Sequence, residues 1–363
     1  MPASATPLTV AVLFGGKSAE HDISLRSARA IVDHLDRERY RIRLVGITRE
    51  GGFLSEEASA RLLAGEDAAE AGGAPSLPQD TDVVFPVLHG PGGEDGTLQG
   101  WLELLDIPFV GSSCTGSALA MDKSLAKHVL RSADVPVLPW VEVRRACFEA
   151  DPEACLANVL RERPVPLFVK PTCLGSSVGI SMVSKEEDLG PALAEAFRFG
   201  EEVIVEPAID ARELEVAVLD GSPLQSSEPG EIRIEGWYDY DNKYLNDDAE
   251  LFVPAQDLPQ RMADAMREFA QIAFRSLRLA GLARIDFLLD RKAGRFYLNE
   301  VNTMPGFTTI SMYPKLMEAS GIPFEELCHR LIALAMERGG RPAKPKAPAQ
   351  TSERLLEAEH GTA

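Results

Sequence analysis

Residues Leu8 to Phe14 form a short, nearly unbroken apolar run that ends at Gly15 and Gly16, just before a helical pattern from about Ser24 to Leu35. A strand that is apolar on both faces must be covered on both, and flanking helices supply that cover in α/β folds. The alternation continues with strands at Tyr40 to Ile47 and Val83 to Leu88 and a helix at Thr97 to Leu105. This rhythm restricts residues 1–111 to an α/β domain with a parallel sheet. From Gly51 to Asp80 the composition turns to Ala, Gly, Glu and Pro, which reads as a surface excursion with one short helix.

A second unit, 112–206, carries helices near Gly116 to Arg131 and Asp151 to Arg161 and strands at 167–171, 179–183 and 202–206, the first two strands forming a hairpin over a glycine loop. A third, 207–340, carries strands at Glu213 to Leu219, Leu282 to Leu289 and Arg295 to Val301, helices near Leu258 to Leu279 and Phe324 to Arg338, and a long polar loop at 236–250. The Pro- and Ala-rich tail, 341–363, reads as disordered.

Lys plus Arg is 37 and Asp plus Glu is 56, so the net charge is -19. That excess argues against bulk binding to nucleic acid or an anionic membrane. No apolar run approaches the ~18 residues of a membrane span, and MPASATP lacks the pattern of a secretory signal, so the expectation is cytoplasmic. Five cysteines with no C-x-x-C pair suit a reducing compartment.

VAVLFGGKS imitates a phosphate-binding P-loop, but that motif needs a glycine five residues before Gly16, where Ala11 stands. The segment reads instead as a strand-to-helix turn that needs glycine for close backbone approach and leaves Glu20 exposed at the mouth of the sheet. Three other constellations carry chemistry. Lys170 leads into KPTCLGSSVGI, whose Gly175, Ser176, Ser177 and Gly179 present backbone N–H groups and hydroxyls suited to phosphate, although a plain hairpin turn has the same composition. Arg284 with Asp286, and Glu300 with Asn302, share strand faces by the period of two. If those strands pair, three oxygen donors converge on a hard-cation site for Mg²⁺ or Mn²⁺; the alternative is a solvent-facing polar strand face. The loop after Asn302 offers the Gly306 N–H and the Ser311 hydroxyl to a carboxylate or oxyanion, and a bland Thr/Ser loop would look similar.

Together these residues resemble the D-alanine:D-alanine ligase family of the ATP-grasp superfamily. The resemblance rests on GGKSAEHDIS (15–24), LHGPGGEDGTLQG (88–100), MDK (121–123), VKPTCLGSSVGIS (169–181), YDYDNKY (238–244), RIDF (284–287) and NEVNTMPGFTTISMYPK (299–315). It implies a three-domain ATP-grasp architecture with an N-terminal parallel α/β domain, a central α+β domain and a C-terminal α+β domain, clasping ATP between the last two. It further implies that Lys123, Lys170 and Ser177 contact ATP phosphates, with Lys243 joining them when the 236–250 lid closes. Glu206 and the backbone at Ala208 and Ile209 would meet adenine, and Glu213 the ribose. Asp286, Glu300 and Asn302 would hold two Mg²⁺ (or Mn²⁺). Glu20 would bind the ammonium of the first D-alanine in a clamp with Ser176 and Tyr244, beside His89. Arg284 and the Gly306 N–H would stabilise the oxyanion, and Ser311 with the Met312 backbone would hold the second carboxylate. The implied product is D-alanyl-D-alanine for peptidoglycan precursors, made through a D-alanyl phosphate, and the implied assembly is a homodimer.

Two alternatives have testable signatures. A nucleotide-binding regulator would have no use for the oxyanion donor Arg284. Members joining D-alanine to D-lactate or D-serine differ at the lid, where Tyr244 follows the alanine-type pattern. Incubation with ATP, Mg²⁺, D-alanine and D-lactate near neutral pH is expected to yield dipeptide, and a predominance of depsipeptide would refute the alanine assignment.

Overall fold

The computed structural model describes residues 7–68, 70–175, 178–233 and 250–339. Of the expected lid, 236–250, only Glu250 lies among them, and the expected tail, 341–363, lies outside.

The first layered unit comprises β1 (Leu8–Gly15), α1 (His21–His34), β2 (Tyr40–Ile47), α2 (Glu56–Ala64), β3 (Val83–Pro86) and α3 (Thr97–Leu104). Its sheet is parallel throughout, in the order β2-β1-β3. Side chains alternate across a strand, and β1 buries both faces. Val10, Val12 and Phe14 join Ala28 and Ile31 of α1 in one core, while Ala11 and Leu13 join Leu98 and Leu102 of α3 in another. Helix α1 begins three residues before the expected Ser24, which places Glu20 at its N-cap position. Ser24 is then inside the helix, where its hydroxyl accepts from the Gly15 N–H at 2.8 Å and donates to the Val87 carbonyl at 2.6 Å, locking α1 to the strand ends.

Two helices follow where one was expected: α4 (Cys114–Met121) and α5 (Lys123–Ser132). Asp122 interrupts them with extended backbone (ψ 104°), and its carboxylate accepts from the N–H groups of Ser124 and Leu125, both at 2.9 Å. An aspartate N-cap restarts a helix in this way, and it sets Lys123 at the first turn of α5. Both helices pack on the core of the third sheet: Ala120, Ala126 and Leu130 share a cluster with Leu214, Val216 and Val218.

The second sheet is antiparallel, in the order β4-β7-β5-β6, from β4 (Val141–Arg144), β5 (Leu167–Pro171), β6 (Ser181–Val183) and β7 (Glu202–Pro207). Helices α6 (Arg145–Ala150), α7 (Pro152–Glu162) and α8 (Leu189–Ala196) belong to the same segment. Strand β4 and helix α8 have no counterpart in the sequence reading, and the β5/β6 hairpin does.

The third sheet runs β11-β10-β8-β12-β13, with β9 (Gln225–Ser226) also on β8. Its strands are β8 (Ala211–Leu219), β10 (Gly230–Arg233), β11 (Glu250–Phe252), β12 (Leu282–Asp290) and β13 (Arg295–Asn302). Helix α9 (Gln260–Ser276) covers one face through Met266, Ala270 and Phe274. The opposite face of β8, Ala217 and Leu219, meets Tyr313 and Leu316 of α10 (Met312–Ala319). Helix α11 (Phe324–Arg338) continues that core through Leu327 and Leu331 to Val10 and Phe85 of the first sheet. One apolar cluster therefore joins the first and third sheets, and the cavities described below open beside that junction.

The turn after β1 shows why glycine stands there. Gly15 has φ +94°, and a Cβ on it would lie 2.2 Å from the Ile47 carbonyl oxygen, which already accepts from the Gly16 N–H at 2.9 Å. Gly15→Ala is expected to destabilise the protein by ~2 kcal/mol or more, combining a left-handed backbone with a backbone clash; an unchanged urea midpoint would contradict this.

Candidate active site

Strands β12 and β13 pair antiparallel with Arg284 opposite Asn302 and Asp286 opposite Glu300, so the expected face exists. On its other side β12 pairs with β8, which brings Glu215 opposite Asp286. Three carboxylates, Glu215, Asp286 and Glu300, thus stand abreast on neighbouring strands. Like charges in that arrangement repel, and cations are set among them. The Arg284 guanidinium donates to Asp286 through Nε at 2.8 Å and Nη2 at 2.7 Å and lies 3.0 Å from Glu215 Oε2. Lys123 Nζ lies 3.8 Å from Glu300. Asn302 donates its amide to Asp286 at 2.9 Å.

The register shifts between Asp286 and Phe287, because Asn299 is inserted between Glu300 and Leu298. Such a bulge re-aims a side chain: Asn299 lines both cavities and accepts from Lys170 Nζ at 3.3 Å. Neither Asn299 nor Glu215 was singled out from the sequence, which carries no local signal for a bulge.

Glu206 of β7 is fully buried between Lys127 Nζ (2.5 Å) and Lys170 Nζ (2.7 Å). Burial by itself would raise this carboxyl, but the charges of Lys170 and Lys127 and their hydrogen bonds outweigh it and hold Glu206 down at about 2. Burial also lowers Lys127, against the pull of Glu206. The ionised glutamate keeps two lysines side by side, Lys127 in the wall of one cavity and Lys170 in the wall of the other. Lys127, one helical turn after Lys123 on α5, went unread in the sequence, although the spacing of four on a helix was available.

The larger cavity, 340 Å³, is walled by Lys123 and Lys170, by Ile209 and Glu213, and by Asp286 and Glu300. Its size is at the lower end for a cofactor-sized ligand. Ala208 contributes no free donor, since its N–H bonds the Pro166 carbonyl at 2.9 Å. The Glu206 carboxylate is committed to its two lysines and does not form part of the cavity wall.

The smaller cavity, 50 Å³, adjoins it through Lys123 and Glu300 and is lined further by Glu20, His89, Arg284 and Gly306. Glu20 is not exposed at the sheet mouth as expected: it is 9 % exposed, because the Gly90 loop folds over it. A Cβ on Gly90, which has φ +75°, would come within 2.5 Å of Glu20 Oε2. His89 bonds the Met304 carbonyl through Nδ1 at 2.8 Å and the Ser27 hydroxyl through Nε2 at 3.0 Å. Burial lowers its imidazole, as does the charge of Arg284, whereas Glu20 and the Met304 bond pull upward. Glu94, also unread in the sequence, is pushed up to about 8 by burial and then by Glu20, opposed by the N–H groups of Gly90 and Met304 and by Arg284.

Ser311 and Met312 lie outside both linings. Ser311 occupies the N-cap position of α10, and its Oγ would be 3.2 Å from a Cβ on Gly306. That hydroxyl bonds the Thr308 N–H and hydroxyl instead of capping the helix. Ser176, Ser177, Lys243 and Tyr244 lie outside the described residues.

Two family profiles match the chain, one described as D-ala D-ala ligase N-terminus over residues 9–112 and one as D-ala D-ala ligase C-terminus over residues 129–333. A D-alanine--D-alanine ligase of Chlorobium phaeovibrioides is 42% identical over 366 residues, covering 95% of this chain and 99% of its own. D-alanine--D-alanine ligase A of Bradyrhizobium diazoefficiens is 42% identical, covering 92% and 96%. Among solved structures, the VanG D-Ala:D-Ser ligase of Enterococcus faecalis aligns with TM-score 0.80 at 34% identity, covering 91% of this chain and 100% of its own. The D-alanine-D-alanine ligase of Coxiella burnetii aligns with TM-score 0.79 at 36% identity, covering 92% and 95%.

Removing one partner of a buried ion pair leaves the other charge uncompensated, at a cost of roughly 3–5 kcal/mol. Because Lys170 still pairs with Glu206, Lys127→Met is expected to fall below that range by urea denaturation at pH 7. Because the folded Glu206 value lies below its ordinary 4.5, the triad stabilises the fold above about 4.5 and loses that contribution as pH falls toward 2. With one lysine gone the acid-side loss is expected at higher pH; a stability profile from pH 7 to 3 that overlays the unmodified protein would refute it.

Proposed function

The chain belongs to the D-alanine--D-alanine ligase family, and we propose that its two adjoining cavities carry out the family's ATP-dependent joining of two D-alanine molecules with the residues placed there. The reaction yields D-alanyl-D-alanine for peptidoglycan synthesis and releases ADP and phosphate. The observation that carries the residue assignment is the in-register row of Glu215, Asp286 and Glu300 with Arg284 among them, standing where the larger cavity meets the smaller.

In this reading the larger cavity takes ATP, with Lys123 and Lys170 at the phosphates, Ile209 and Ala208 at adenine and Glu213 at the ribose. Glu206 acts from beneath, holding Lys170 in place through its charge. Ser177 and Lys243 join the phosphate set on the strength of their motifs. The smaller cavity takes the first D-alanine, its ammonium on Glu20 in a clamp with Ser176 and Tyr244. Its carboxylate oxygen attacks the γ-phosphorus, the bond to the ADP oxygen breaks, and a D-alanyl phosphate forms. The amine of the second D-alanine, its carboxylate on Ser311 and the Met312 backbone, then attacks the acyl carbon and expels phosphate. Arg284 and the Gly306 N–H receive the oxyanion of that second step, each donor worth ~3 kcal/mol by analogy with other oxyanion holes.

Asp286, Glu300 and the amide oxygen of Asn302 fit a hard divalent cation, being all oxygen donors on one face beside the phosphate lysines. Among the described residues no group of three His, Cys, Asp or Glu side chains is placed to hold a metal, so phosphate oxygens would complete the set. Two Mg²⁺ or Mn²⁺ bound there supply charge neutralisation during phosphoryl transfer. The overall charge of -19 is compatible with this, since screening at ~8 Å leaves the decision to the nearest cations. The reading extends to ATP and D-alanine as small-molecule substrates and to a cytoplasmic homodimer, both supported by the family resemblance. No helix among the described residues is long and apolar enough to cross a membrane.

Phosphate release measured with ATP and Mg²⁺ is expected with D-alanine, weakly with D-serine or D-lactate and not with L-alanine. Release independent of D-alanine, or dominated by D-serine, would overturn the assignment. Glu300→Gln is expected to lower D-alanine-dependent release by ~100-fold or more with the thermal midpoint kept; unchanged turnover would remove the metal role of Glu300.

A further inference from the structure

We propose that Ser27, His89 and Glu94 form a positioning network through which the N-terminal sheet unit sets the direction of the Gly306 N–H. The inference rests on the reading of Gly306 as an oxyanion donor and explains what aims it.

The segment 303–307 follows β13 without regular secondary structure, yet Thr303, Met304, Pro305 and Phe307 are buried. Buried backbone outside a ladder must find its hydrogen bonds elsewhere, and here they come from the N-terminal unit. The Met304 N–H donates to Glu94 Oε2 at 3.0 Å, its carbonyl accepts from His89 Nδ1 at 2.8 Å, and the Phe307 N–H donates to Ser27 Oγ at 3.2 Å. Gly306 lies between these anchored residues, and Pro305 beside it has a fixed φ. With the peptides on both sides held, the Gly306 N–H has one direction.

The three side chains also hold one another. Ser27 Oγ lies 3.0 Å from His89 Nε2, the other Glu94 oxygen accepts from the Gly90 N–H at 2.9 Å, and Ser18 Oγ donates to the His89 carbonyl at 2.6 Å. The proton inventory closes with one neutral tautomer: Nδ1–H faces the Met304 carbonyl, Nε2 accepts the Ser27 hydroxyl, and the Ser27 oxygen accepts the Phe307 N–H. Ser27 is fully buried and His89 is 3 % exposed, so water does not compete for these bonds. Both nitrogens of His89 are thereby engaged by the protein, which makes it a positioning residue at the wall of the small cavity.

The test is steady-state kinetics on the full chain with Ser27→Ala, Glu94→Gln, the double variant and Arg284→Lys, recording kcat, KM for ATP and the thermal midpoint. Glu94→Gln keeps one oxygen acceptor and presents an amide where the second was. Misplacing a reacting group by about 1 Å costs up to ~100-fold, so Ser27→Ala and Glu94→Gln are each expected to lose ~10-fold or more in kcat with KM for ATP within about twofold. Because both anchors act on one loop, the double variant is expected to be little slower than the worse single one. Ser27 and Glu94 variants that turn over like the unmodified protein while Arg284→Lys is slow overturn the positioning network alone. Full kcat in Arg284→Lys overturns the oxyanion reading beneath it. A kcat loss matched by a rise in KM for ATP and a fall in thermal midpoint marks general scaffolding and also overturns the inference.

Discussion

A strand that slips by one residue against its partner exchanges its two faces, and the site depends on that slip not occurring between Leu282–Asp290 and Arg295–Asn302. In the observed register Ile285, Phe287 and Val301 enter the core under α9, while Arg284, Asp286, Glu300 and Asn302 face the cavities. Shifting either strand by one would bury a carboxylate and expose a phenylalanine, so the apolar core and the polar row specify the same register. The bulge at Asn299 then adds a further polar side chain to the face without disturbing the pairing on either side of it.

Charge is organised around this row in a way that the total of -19 conceals. Arg284, Lys123, Lys127 and Lys170 are all nearly buried. Glu206 is the counterweight: an ionised carboxylate against two lysines keeps cations beside the Glu213, Glu215, Asp286 and Glu300 carboxylates of the cavity wall. Arg284 is drawn the other way, onto Asp286 and Glu215. Any ligand that engages this guanidinium competes with those carboxylates.

Much of the fold was legible because it obeys simple periods. The apolar strands of the first sheet, the hairpin after Leu167, the paired faces of Arg284/Asp286 and Glu300/Asn302 and the helix Phe324–Arg338 follow from spacing alone. Misreadings came where a local device overrode the period. Asp122 cut an apparently continuous helix by capping its second half, and the start of α10 at Met312 was hidden in a Thr/Ser-rich loop. Strand β4 is a four-residue edge strand, too short for alternation to be seen. Glu94 stood inside a recognised motif, but only its two backbone partners show what it does.

By itself the sequence determined which residue types share a strand face, where glycine must permit a close turn and which family the ordered motifs resemble, because each of these rests on spacing within a few residues of chain. Tertiary structure decided the rest: that Glu215 completes the carboxylate row, that Lys127 reaches Glu206 across 79 positions of chain, and that Ser27, His89 and Glu94 hold a loop more than 200 residues away. Those contacts join separate sheets, and their partners are chosen by burial, where an unpaired polar group is costly, rather than by any pattern that local sequence carries.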